Sequence, residues 1–100
     1  MKVYEQRASV TTVAGSYNQT TLENVGGLLR YLLIRPAVET TNFQATLTDY
    51  KGVIRKRYGF HTGELLDDQL TMPVSGPYTI GLVNGSPDDT FQIVFGVQES

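Results

Sequence analysis

His61 is the single histidine of the chain and bounds the acid–base chemistry open to it. A Ser-His-Asp relay would need this imidazole as base beside Ser16, Ser75 or Ser86. None of those serines lies in a Gly-x-Ser-x-Gly setting, and a histidine beside the Thr62-Gly63 turn reads as a surface or packing residue. Glu64, Asp67 and Asp68 are close in sequence, as are Asp88 and Asp89. Paired carboxylates could serve glycoside hydrolysis or hold calcium. No twelve-residue EF-hand pattern is present, and adjacent Asp-Asp pairs in a strand point to opposite faces. These acids are therefore expected to be solvated turn residues. With no cysteine, thiolate nucleophiles and thiolate metal sites are excluded together. The expectation is a non-enzyme with no catalytic residue, no metal site and no cofactor.

Four of the eight basic residues, Lys51, Arg55, Lys56 and Arg57, fall in one hairpin beside the aromatics Tyr50, Tyr58 and Phe60. Three readings stand open. The cluster could grip phosphates and stack bases, guard a sheet edge against edge-to-edge pairing, or dock on an acidic protein surface such as a capsid. The three aromatics could also form a stacking platform for a glycan or receptor. A formal charge of −2 argues against nucleic acid as partner. Gly26-Gly27 is followed by an apolar run and no helix, so it is not a phosphate loop. Asn18-Gln19-Thr20 and Asn84-Gly85-Ser86 match the glycosylation sequon, and both read as ordinary turns.

The elements that carry these residues are short strands. Tyr78, Ile80 and Leu82 alternate with Thr79, Gly81 and Val83, and Phe91, Ile93, Phe95 and Val97 alternate with Thr90, Gln92, Val94 and Gly96. The two runs flank a turn-rich segment at 84–89 and read as a final hairpin. Phe43, Ala45 and Leu47 mark a strand over 42–49. Asp49-Tyr50-Lys51-Gly52 is a turn, and 53–58 returns antiparallel. Leu65 to Met72 is a weak strand. Residues 1–13 read as an edge strand or an inter-subunit arm, and a short strand is expected within 14–27. Leu28 to Ile34 is the ambiguous element, since a buried helix turn and a doubly apolar strand look alike in so short a run. As a strand it puts Leu29, Tyr31 and Leu33 on one face and Leu28, Leu32 and Ile34 on the other. A loop or sheet of the same chain covers both faces, or one face is an interface. The interface would be a self-association surface of Leu29, Tyr31 and Leu33.

One hundred residues make one domain with a core able to fold without staples. The amino terminus is charged and lacks an apolar stretch of signal-peptide type, and no run approaches the roughly 20 apolar residues of a membrane span. A soluble protein is expected. About seven or eight short strands at this spacing indicate an all-β chain, a single antiparallel β-sandwich of Ig-like or jelly-roll-like form. Gly76-Pro77-Tyr78 resembles the corner of Ig-like domains, where a tyrosine packs at the start of a strand.

From Asn42 to Val97 the chain resembles small all-β virion proteins of tailed bacteriophages. The resemblance rests on Leu47-Thr48-Asp49, Lys51-Gly52-Val53, Thr62-Gly63 and Leu66-Asp67. It continues through Pro73-Val74-Ser75-Gly76-Pro77-Tyr78-Thr79-Ile80 and the segment from Asn84 to Phe91. It implies a virion component assembled in the host cytoplasm, with capsid decoration (cement) as the leading role. The implied partners are further copies of the chain, a trimer being one form, and the major capsid protein. A glycan- or receptor-binding module is the rival reading.

Overall fold

A computed structural model describes residues 3–13, 17–22, 27–74, 76–84 and 88–98. The nine strands among the described residues are β1 (Val3–Thr11), β2 (Tyr17–Leu22), β3 (Gly27–Pro36), β4 (Asn42–Thr48), β5 (Ile54–Thr62), β6 (Leu65–Asp67), β7 (Met72–Val74), β8 (Tyr78–Asn84) and β9 (Thr90–Gln98). One antiparallel sheet runs β1-β9-β3-β6, with β7 also paired to β3, and the other runs β2-β8-β4-β5. The all-β sandwich expected from the alternation is the fold.

Alternation builds the core directly. Phe43, Ala45 and Leu47 of β4 and Tyr78, Ile80 and Leu82 of β8 face Phe91, Ile93, Phe95 and Val97 of β9 across the sandwich, all buried. Phe43 and Phe91 meet edge-on, with ring centroids 5.0 Å apart at 72°. The Tyr78 hydroxyl donates to the Pro73 carbonyl, closing the corner before β8.

Two expectations are corrected here. β8 and β9 are not a hairpin: β8 pairs with β2 and β4, while β9 pairs with β1 and β3 in the opposite sheet. Both strands are apolar enough to sit centrally, so each is flanked on two sides, in opposite sheets. The weak strand over 65–72 is two strands, broken where Asp67 turns the chain by accepting from the Gln69 amide at 3.1 Å.

Four crossings between sheets lie at one end, and a buried polar cluster joins three of them. Asp89, between β8 and β9, accepts from the Val38 amide at 2.9 Å, the Thr41 hydroxyl at 2.6 Å and the Thr90 amide at 2.8 Å. The Thr12 amide donates to the Asp89 carbonyl at 2.9 Å, and Asn84 Nδ2 donates to the Thr12 hydroxyl at 2.8 Å. Asp89 was expected to be solvated and is buried instead. Burial would raise its pKa; the hydrogen bonds from Thr41, Val38, Thr90 and Ala37 outweigh that and hold it below the usual carboxylate range.

Candidate functional site

The ambiguous run at 28–34 is a strand, and a bulge at Arg30 decides what it presents. β3 pairs Leu29 with Val97 and Tyr31 with Gly96, so two steps on β3 oppose one on β9. A single extra residue reverses the parity that follows it. Leu29, Leu32 and Ile34 therefore all face the core and are fully buried, while Arg30 is exposed at the bulge. The expected interface triple is corrected accordingly: Leu29 belongs to the core, and only Tyr31 and Leu33 lie on the outer face.

That outer face carries an apolar band across three strands. Leu33 of β3 sits between its register partners Val94 of β9 and Leu66 of β6. Leu66 is 58% exposed, Leu33 is half-buried and Val94 is covered. Tyr31 lies flat over Gly96 and reaches β1, where its hydroxyl donates to Glu5. That bond first, and Arg7 second, holds Glu5 below its ordinary pKa, and it raises Tyr31. Each margin of the band carries an ion pair: Arg7–Glu5 at 2.8 Å on the β1 side and Arg35–Glu64 at 2.7 Å on the β6 side. On the Arg7–Glu5 margin, β1 is the edge strand of its sheet, paired with β9 from Val3 to Thr11.

The basic hairpin does not make one surface. β5 is the outer strand of its sheet, which fits cations guarding an edge. Its bulges scatter the side chains. Lys56 is in register with Leu47 and turns toward the other sheet, where it meets Asp67 at 3.2 Å. Arg55 pairs with Asp49 at 3.7 Å. Arg57 is in register with Thr46 and faces outward, and Lys51 lies over the Tyr50 ring at 5.6 Å.

The stacking platform is not assembled either. Tyr58 is half-buried and donates to Asp67 at 2.8 Å, bridging the sheets at their open side. Burial, then the bond to Asp67, pushes its pKa far up. Asp67, expected to be a solvated acid, is largely covered, and its bonds from Tyr58, Gln69 and Lys56 lower its pKa against the opposing effect of burial. The bulge at Gly59 and Phe60 turns Phe60 to the opposite side, where it is 64% exposed. Tyr50 lies in the turn at the far end of β5.

His61 stacks edge-on against Phe43 at 5.9 Å, and its Nε2 donates to the Glu64 carbonyl at 2.7 Å. Among the described residues no three His, Cys, Asp or Glu side chains gather as a metal would need. Among the described residues no helix is long and apolar enough to cross a membrane. The buried bond of Asn84 is a structural use of a residue that the sequon would have placed on the surface.

No protein-family model matches the chain, and no curated protein matches it. Solved structures do match in fold. The mitogen of Yersinia pseudotuberculosis is similar with a TM-score of 0.64 at 12% identity, over 97% of this chain and 88% of that one. PliG of Aeromonas hydrophila, a periplasmic inhibitor of g-type lysozyme, is similar with a TM-score of 0.59 at 12% identity, over 94% and 86%. At such identity the likeness shows the fold alone: the chain is a β-sandwich module.

Proposed function

We propose that the protein is a non-enzymatic structural component that works by contact, assembling with copies of itself through the outer face of the β1-β9-β3-β6 sheet. The observation that carries this reading is the apolar band of Leu33 and Leu66, with Tyr31 pinned beside it, on an outer sheet face where Leu66 stays 58% exposed and Leu33 only half-buried. Such a band costs solvation free energy until it is covered, at roughly 25 cal/mol per Å² before association costs. The band lies between two margins that each hold a cation and an anion, so a second copy turned by a two-fold axis would meet complementary charge at both. The molecule measures 39 × 24 × 19 Å, and its broad side is just wide enough for the roughly 800 Å² per partner of a stable pair.

The resemblance of 42–97 to phage virion proteins supports decoration of a capsid shell as the setting for this assembly. In that setting Lys51 and Arg55, exposed at the β4–β5 turn, steer docking onto an acidic shell. Co-sedimentation with shells of the cognate virus tests the reading. Wild-type protein pelleting with shells at saturable stoichiometry, and a Leu33→Asp/Leu66→Asp variant failing to, is the expected result. Equal pelleting of both would remove the band from the account.

A further inference from the structure

The opposite sheet carries a second surface, which the assembly reading does not use. Across the outer side of β2-β8-β4-β5 runs a groove of about 480 Å³, within the range of small-ligand sites. Tyr17, Gln44, Thr46, Thr48, Ile54 and Arg57 are among the residues that line it. We propose that this groove binds a short saccharide bearing a carboxylate.

The floor of the groove is set by Tyr17 and Gly81. A Cβ on Gly81 would sit 2.2 Å from the Tyr17 hydroxyl oxygen and 2.5 Å from its Cε2 and Cζ, so the ring lies flat on the backbone of β8. Tyr17 nonetheless stays 56% exposed, leaving the other ring face open. An open aromatic face at the bottom of a groove suits the apolar C–H face of a sugar ring.

The walls supply hydroxyl and amide groups in a fixed array. Gln44, Thr46 and Thr48 occupy alternate positions of β4, a strand paired on both sides, so their spacing is held by the sheet. Among the described residues none of the three has a side-chain hydrogen bond, which leaves them free for a ligand. A ligand rich in hydroxyl groups satisfies such a set; an apolar ligand would strand it.

Charge narrows the class. The lining holds one cation, Arg57, and no carboxylate. Arg57 has no ion pair among the described residues, unlike Arg7, Arg35, Arg55 and Lys56. Arg57 on β5 stands across β4 and β8 from Tyr17 on β2. A guanidinium fork at one end of the groove and an aromatic floor at the other match a short saccharide that carries a carboxylate at one end. The absence of acids from the lining equally leaves a metal cation without ligands there. Four strands at about 4.8 Å spacing make the groove roughly 14 Å long, enough for two or three rings.

The test is amide-detected NMR titration of the folded protein with trigalacturonate and sialyllactose, each against a neutral counterpart, maltotriose and lactose, up to about 10 mM. The expected result is saturable shifts at Gln44, Thr46 and Gly81 with at least one acidic probe, weakened tenfold or more for its neutral counterpart. Tyr17→Ala and Arg57→Gln should each weaken binding at least fivefold, while Phe60→Ala, outside the groove, changes nothing. Gln44→Ala serves as a further variant should Tyr17→Ala lose its folded spectrum. Silence of those amides with both acidic probes overturns the proposal, as does equal binding of neutral and acidic probes. Because the groove lies on the other sheet, a variant that abolishes assembly through Leu33 and Leu66 leaves this result unchanged, so the two readings fail separately.

Discussion

Tyr31 lies across Gly96 so closely that a Cβ there would fall 1.8 Å from the tyrosine's Cε2. The ring is thereby laid along the sheet toward β1, where its hydroxyl reaches Glu5. Gly96→Ala should lift the ring, break that bond and cost about 1–3 kcal/mol in urea denaturation. Made in a Tyr31→Ala background, the same substitution should cost far less, because nothing is left to displace. Equal costs in both backgrounds would contradict the close packing.

Asp89 should govern the acid limb of stability. Its folded pKa is below the unfolded value of about 3.9, so its contribution is present above that value and is lost as pH falls through the folded one. Asp89→Ala leaves the Val38 and Thr90 amides and the Thr41 hydroxyl without their acceptor, at a cost of roughly 2–3 kcal/mol at neutral pH. Asp89→Asn should flatten the loss of stability below about pH 4. Both follow from denaturant midpoints measured across pH.

Tyr58 should govern part of the alkaline limb. Its folded pKa lies above the unfolded value of about 10, so its contribution is complete below that and declines as pH rises toward the folded value. Tyr58→Phe should cost about 1 kcal/mol at neutral pH and reduce the decline between about pH 10 and 11. An unchanged alkaline slope would mean that Tyr58 is neither buried nor bonded to Asp67 in solution.

Salt should act on docking and spare assembly. Lys51 and Arg55 are exposed and screened, so raising ionic strength from about 0.05 to 0.5 M should slow association with an acidic shell. The apolar band should hold copies together at either concentration. Stopped-flow mixing with shells, beside light scattering of the free protein, separates the two.

The sandwich and its core were legible because alternation survives intact in β4, β8 and β9, where every apolar residue of one parity faces inward. Sheet membership was not. The segment between β8 and β9 has turn composition whether it closes a hairpin or joins strands of opposite sheets, and the partners that decide, β2 and β4 against β1 and β3, are distant in sequence. The bulge at Arg30 was hidden for a local reason: one extra residue changes parity without changing composition. A charged residue inside an apolar run was its only mark. The groove was missed because Tyr17, Gln44, Thr46 and Arg57 are ordinary outward-facing residues that only sheet pairing brings side by side. Asp89 read as a solvated acid because its partners at Val38 and Thr41 are some fifty positions away.

The central claim is that the outer Leu33–Leu66 band is covered by a second copy. Light scattering on a sizing column, with wild type and the Leu33→Asp/Leu66→Asp variant at micromolar concentration, tests it most directly. The account predicts an oligomer for wild type and a folded monomer for the variant; a wild-type monomer, or a variant that elutes as the same oligomer, would contradict it.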